Sequence, residues 1–458
     1  MKTKSFPSIF NDVIGPVMRG PSSSHTAAAH SIGAFIRQLD TPNFTKVIVE
    51  FDRTGALATT YLGQGSAMGL AGGLLGLEMT NPEIINYEKH LKNSCFSIEY
   101  IITDLENKHP NAYQICIQYP HREDLHILAI STGGGMFEII EINDCQVSIT
   151  RISDGSTDKP SIPSLDNKLP FTTEAEMLEL AEKESLSLSE LAIKYECALS
   201  GLDPDSVIKK MEEIALIIWA SIQEGLQGTN YEDRILGTQS KLIIDAEKKG
   251  LIKKTINSSI IAYTSAIMES KSSMGLIVAA PTAGACGLVG GALFGSVAEQ
   301  EFDKESMVRA FLAAGITGVF IAHKYTFSAE EGGCQVETGA GAAMAAAGLV
   351  EMDGGTAKQA MTAASLALQN MLGLICDPVA VRVEVPCLGK NIMGATNAYN
   401  AFIMAIAGYD AVIPYDEVID AMKSVGELLP SSLCCTGLGG LAQTPTGKRL
   451  FKKFNPEN

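Results

Sequence analysis

The sequence predicts an α+β protein: a mixed α/β domain over 1–152, a linker over 153–170, and a larger all-helical domain over 171–458. Three observations predict it. Strand-like runs are confined to 46–142; the stretch SDGSTDKPSIPSLDNKLP (153–170) is polar and rich in Pro and Ser; and from residue 174 onward apolar residues recur at helical spacing.

In the first part KVIVEF (46–51), YQICIQY (113–119), HILAIS (126–131) and FEIIEI (137–142) alternate or run apolar with β-branched residues, as half-buried strands do. Between them lie a helix after PSSSHT and the Gly-rich segment YLGQGSAMGLAGGLLGL (61–77). Beyond the linker Thr173 opens a helix, with Glu176 three residues on completing a capping box. Helical periods follow at 174–200, 205–225, 305–323, 338–351 and 356–372. There is no internal repeat.

Of 458 residues, enough for a large core, the formal net charge is -17. With a pI near 4.9, nucleic acid and anionic membrane are poor partners, because both require clustered Lys and Arg. The run GLIVAAPTAGACGLVGGALFGSVA (275–298) is uncharged and long enough to span a bilayer. Pro281 and Thr282 break it early, Gly and Ala dominate it, and no Lys/Arg bias flanks it, so buried helices with small-residue contacts are expected instead. The N-terminus lacks the apolar core of a signal peptide, which points to the cytosol. There the ten cysteines read as thiols, ligands or redox sites before disulfides.

Cys334 follows a glycine pair in EEGGCQVETGAG, and Cys376 and Cys387 sit near Pro378 and Pro386 in GLICDPVAVRVEVPCLGKN. Prolines favour stiff, extended loops over helix at both positions, which suits thiolates held in a fixed geometry. The spacing matches no zinc ribbon or ferredoxin, so three small buried hydrophobes remain an equal reading. Three thiolates on a four-iron cluster would leave one iron open as a Lewis acid. At the other end, Ser22, Ser23, Ser24 and Thr26 precede a helix and form either an anion pocket for a carboxylate or one N-cap among solvated hydroxyls. His25 is a candidate general acid or base. Gly133 and Gly134 in STGGGM expose backbone after a strand, and His109 and Asn111 in KHPNAYQ are either turn formers or site residues.

Taken in register, IGPVMRGPSSSHTA, GLLGL, KHPN, ISTGGGMFEI, APTAGACG, EEGGCQVETG, NMLGLICDPVA, VEVPCLGKN, MGATNA and GLGGLAQTPTG resemble the iron–sulfur-dependent L-serine dehydratases over nearly the whole chain. The order of parts resembles the fused single-chain form. The resemblance implies that Cys334, Cys376 and Cys387 ligate a [4Fe–4S] cluster with one open iron, and that no pyridoxal phosphate takes part. It implies a small amino-acid substrate deaminated to a 2-oxo acid, and a homodimer. Ser22 to Thr26, His109, Asn111, Gly133, Gly134, Thr282 and Asn391 would bind substrate, with His25 and Ser24 in catalysis.

The chain departs from the family pattern at Gln64, in a histidine's place; at HKYTFSAE (323–330); at Val381, for a glycine; at YEDRILGTQS (231–240); and at Cys434–Cys435, for Arg-Glu. His323 or Tyr325 is the expected substitute for the lost histidine, and Lys324 a partner for an extra acidic group. The departures leave open a substrate other than serine, such as threonine, cysteine or 3-hydroxyaspartate, or a non-catalytic amino-acid sensor.

Overall fold

A computed structural model describes the chain except residues 1–5, 21–22, 40–42, 54, 56, 63–64, 106–108, 110, 134, 151–168, 301–302 and 455–458, and gives the backbone alone at 23–25, 59–60 and 132–133. The four alternating runs are all strands: β1 (Lys46–Asp52), β3 (Ala112–Gln118), β4 (Leu125–Gly133) and β5 (Met136–Ile142). Two more join them, β2 (Ser97–Thr103) and β6 (Cys145–Ile149), in the order β2-β1-β3-β4-β5-β6. Only β1 and β2 run parallel, with Val49 opposite Tyr100; the remaining pairs are antiparallel.

One face of the sheet, with Val47, Val49, Phe51, Tyr113, Ile115, Ile117, Ile127 and Ile139, packs on Ala28, Ile32, Phe35 and Ile36 of α1 (Ser23–Leu39). The Gly-rich segment becomes α2 (Ser66–Leu75), laid against α1 at backbone contact. A Cβ at Gly69 would stand 2.2 Å from the Thr26 carbonyl oxygen, and one at Gly73 would stand 2.2 Å from that of His30. The glycines therefore serve helix packing.

His30 is wedged into this seam, and its Nε2–H donates to the Leu77 carbonyl at 2.8 Å. Burial lowers its pKa from the ordinary 6.5, outweighing the opposing pull of that carbonyl. The neutral ring is thus the folded form, so its stabilising contribution is present above about pH 6.5 and is lost as pH falls through the folded value. Melting of the protein between pH 7.5 and 5 should show a destabilisation on acidification from this group, with a ceiling of about 1.4 kcal/mol per pH unit for a single proton. His30→Gln should flatten that slope; an unchanged slope would refute the assignment.

The chain divides into two units, Val17–Pro160 and Met1–Pro16 with Ser161–Asn458. Residues 6–16, expected in the α/β domain, thus belong with the helices. The cause is a buried carboxylate: Glu196 of α4 (Leu188–Ser200), following α3 (Glu174–Glu184), accepts from Ser8 Oγ at 2.7 Å and from the Ile9 N–H at 2.9 Å. Tyr195 OH donates to the Pro7 carbonyl at 2.8 Å, and Ile9 and Val13 lie over Gly315 and Gly318. The predicted period 174–200 is broken between α3 and α4 by Ser185, at φ +56°. Thr173 caps α3 as expected, but the Glu176 carboxylate bonds to Thr172, so the reciprocal half of the box is missing at Thr173.

The helical unit continues with α5 (Pro204–Gln227), α6 (Ile256–Ser272), α7 (Cys286–Ser296), α8 (Lys304–Lys324), α9 (Ala340–Met352), α10 (Ala357–Gln369), α11 (Cys387–Ile406) and α12 (Tyr415–Leu428). Ala- and Gly-rich α9 is buried along its length against α7, α8, α10 and α11. The uncharged run 275–298 is a short strand, a loop and α7, not a span. Among the described residues one helix, α8, is long and apolar enough to cross a membrane, and 78% of that stretch is buried inside the protein.

Candidate metal centre

Cys334 sits between Gly333, at φ +71°, and a π-helical turn, Gln335–Gly339, that runs into α9. A Cβ at Gly333 would stand 2.8 Å from the Leu374 carbonyl oxygen, so glycine lets the Cys334 loop lie against the Cys376 loop. Gln335, fully buried, stitches them: its N–H donates to Leu374 O at 3.0 Å, its Oε1 accepts from the Gly373 N–H at 2.9 Å, and its Nε2 donates to Met422 O at 3.0 Å.

Cys376 is extended, as expected. Its N–H donates to Leu433 O at 2.7 Å, and its carbonyl accepts from the Cys435 N–H at 2.9 Å, pairing it with Cys434. The expectation of a non-helical loop fails at Cys387. Pro386 stands at the N-cap and Cys387 is the first residue of α11, because a proline just ahead of a helix removes a donor the helix would not use.

All three thiols are at least nine-tenths buried. Donor atoms of Cys334, Cys376 and Glu337 lie within 4.8 Å of one another. Cys387 Sγ falls outside that set of mutually close donors; burial pushes its thiol's pKa up, as do Cys334 and Glu337, against the pull of Lys271 and Lys390. Cys376 is raised chiefly by hydrogen bonding to the thiols of Cys334 and Cys435. Burial pushes Glu337 up to about 7, although Thr282 Oγ donates to its carboxylate at 2.6 Å.

Lys390, one turn into α11, closes the set. Its ammonium donates to Ile375 O at 2.6 Å and Asp377 Oδ1 at 2.8 Å and lies 3.7 Å from Cys334 Sγ. Burial works to lower its pKa, but the Cys334 thiol and the Asp377 carboxylate outweigh it and hold it above the ordinary value. Asp377 also accepts from the Leu441 N–H at 2.9 Å. Thiols crowded away from water cannot ionise together without a strong cation, whereas a metal takes them as thiolates outright. The donor set fits a metal group.

Two further expected residues adjoin it. Thr282 holds Glu337, and Asn391, fully buried, donates Nδ2 to Gly284 O at 2.8 Å and Cys387 O at 2.9 Å, while its Oδ1 has no partner among the described residues. His323 instead stacks on Phe6, ring centroids 3.9 Å apart. Lys324, expected to meet an extra acidic group of the substrate, pairs with Asp420 at 3.0 Å and Asp416 at 3.5 Å. In the α/β unit Thr26 is buried in α1, and His109 Nδ1 accepts from the Asn111 N–H at 3.2 Å. Asn111 Oδ1 is buried without a partner among the described residues, and Gly133 ends β4. Ser22, Gln64 and Gly134, and the side chains of Ser23, Ser24 and His25, lie outside the described residues.

The departures have structural counterparts. Val381, at φ +56°, occupies a backbone region that suits the family's glycine and costs a β-branched residue about 1–2 kcal/mol. The 231–240 segment wraps two carboxylates: Glu384 accepts from the N–H groups of Ile235 and Leu236, and Glu269 from those of Gln239 and Ser240. Glu337, Lys390, Asp377 and Lys271 escaped the sequence reading. Only spacing hinted at the first two, each three residues after a candidate cysteine.

The family model for the serine dehydratase alpha chain matches residues 183–442. The chain belongs to the serine dehydratase family. Over 288 residues it is 38% identical to the "Probable L-serine dehydratase, alpha chain" of Bacillus subtilis, covering 62% of this chain and 95% of that one. Over 292 residues it is 36% identical to the L-serine dehydratase alpha chain of Peptoniphilus asaccharolyticus, covering 63% and 99%. With the L-serine dehydratase TdcG of Escherichia coli it shares 29% identity over 468 residues, covering 92% and 96%. This serine dehydratase is accordingly an enzyme of the ammonia-lyase type, in the single-chain form expected from the order of its parts.

Proposed function

We propose that this enzyme is an iron–sulfur lyase that deaminates L-serine to pyruvate and ammonia without pyridoxal phosphate. The observation that supports the reading is a buried, cation-flanked place where donor atoms of Cys334, Cys376 and Glu337 lie within 4.8 Å of one another, with buried Cys387 close enough for its thiol to be influenced by Cys334 and Glu337. These three would hold a [4Fe–4S] cluster, which supplies Lewis acidity at the iron without a thiolate. The chain's own groups orient the rest. Asn391 Oδ1, a buried acceptor without a donor among the described residues, suits the α-ammonium of an amino acid. Thr282 fixes Glu337 beside the sulfurs, and Lys390 balances charge on the Cys334 side. Loss of the α proton and the 3-hydroxyl gives 2-aminoacrylate, which tautomerises to the imine and takes up water to release pyruvate and ammonia.

For His25 proton transfer, and for Ser22 to Thr26 a hold on carboxylate, are proposed on the resemblance, as are the homodimer and a cytosolic setting. The test is anaerobic purification with iron and sulfide analysis, followed by assay of pyruvate and ammonia from L-serine. Cluster with pyruvate supports the reading. A cluster-loaded protein inert toward serine removes serine as the substrate, and a protein that takes up no iron removes the reading altogether.

A further inference from the structure

Lys271 lies in the last turn of α6, is 1% exposed, and ranks among the largest fully buried side chains. Its ammonium donates to the Val383 carbonyl at 2.8 Å. An ammonium carries three N–H donors, and burying its charge is costly unless an anion meets it. Other cations of the helical unit follow that rule: Lys390 has Asp377 at 2.8 Å, Arg234 has Glu269 at 3.9 Å, and Lys324 has Asp420 and Asp416. Among the described residues no carboxylate forms an ion pair with Lys271. The end of a helix and one carbonyl favour a cation there but do not replace a counter-ion.

The Val383 carbonyl that it meets lies four residues before Cys387, on the segment that leads into α11, and its charge acts on groups around that segment. They are Cys387 at the start of α11, Glu337 beside the Cys334 turn, and Cys286 at the start of α7. One turn along α11 from Cys387 is Asn391, with its unpartnered Oδ1. A buried donor with N–H groups to spare and a buried acceptor with lone pairs to spare thus bond to the backbone of the same short segment, at Val383 and at Cys387. A bound α-amino acid carries the complement of both, a carboxylate and an ammonium.

We infer that Lys271 is an anion-binding group of the site and receives a carboxylate of the bound amino acid, while Asn391 Oδ1 accepts from the α-ammonium. The inference deepens the lyase reading and rests on it. The carboxylate is either the α-carboxylate or a second one, as in 3-hydroxyaspartate; the chemistry at Lys271 is the same, and substrate choice separates the two.

The experiment uses anaerobically prepared, cluster-loaded wild type, Lys271→Met and Lys271→Gln, each first analysed for iron and sulfide. Binding of L-alanine, which has both polar ends but no leaving group, is measured by calorimetry. KM and kcat are then measured for L-serine and 3-hydroxyaspartate. Loss of one charge-assisted hydrogen bond corresponds to roughly 10- to 100-fold. With clusters intact, L-alanine binding should weaken and the KM for L-serine should rise by that factor, with kcat changed far less. If only the KM for 3-hydroxyaspartate rises, Lys271 serves the second carboxylate, and the inference holds. Intact clusters with all three values unchanged would overturn it. So would loss of the cluster from both variants, which would make Lys271 a counter-charge for the thiolates. Wild type that binds no L-alanine and consumes neither substrate would remove the lyase reading itself, and the inference with it.

Discussion

Replacing Cys376 by serine is expected to take bound iron from about four per chain to nearly none and to abolish pyruvate formation while the helices stay folded. Cys376 is buried against the thiols of Cys334 and Cys435, and its backbone is tied on both sides to residues 433 and 435. Those ties do not involve the sulfur, so the loop should survive the change. Serine keeps the size but is a poor partner for iron, whose clusters are held by thiolate. Cys145→Ser, at an exposed strand end, is the control and should change neither iron nor turnover. Iron and sulfide analysis with circular dichroism decides the matter. A folded Cys376→Ser protein that keeps its iron would show that the thiols are only core.

Lys390→Met is expected to be nearly as damaging, by another route. The lysine and Asp377 side chains are 12% and 5% exposed. Methionine fills similar space but leaves a buried carboxylate without its cation, at a cost of about 3–5 kcal/mol. It also frees the Ile375 carbonyl, so the loop that carries Cys376 loosens and iron should be lost on gel filtration. Asp377→Asn in the same protein should restore much of the stability, because the amide oxygen can still accept from the Leu441 N–H. Denaturant melts of the four proteins form a double-mutant cycle. If Lys390→Met melts with wild type, the pair does not organise the site.

Much of the architecture was legible because packing imposes a period. Val47, Val49 and Phe51 alternate because one face of their strand meets α1. Ser97–Thr103 was missed although it pairs with the same strand; it ends the sheet, and SIEYIIT shows less contrast between its faces. Cys387 was misjudged because Pro386 can end a segment or start one, and a local reading does not distinguish them. The ligand set came from resemblance rather than spacing. Cys334 and Cys376 are 42 apart in sequence and meet through Gln335 and Lys390, whose bonds no period announces. Lys271 was invisible for a related reason: a lysine in a helix reads as a solvated residue until the neighbouring helices are in place.

The division of the chain carries a consequence for any attempt to separate its parts. Residues 7–16 precede the α/β unit in sequence yet complete the helical one, so that unit interrupts its neighbour and is tethered to it by two strands of chain. A fragment begun at residue 161 would be an unfinished helical body. Glu196 would lose the Ser8 and Ile9 donors, and Gly315 and Gly318 would lose the side chains that cover them. Expressing the two halves as separate polypeptides would then require the first to lend its leading segment to the second. A working two-gene version of this enzyme has to be born through that exchange, or with the leading segment moved.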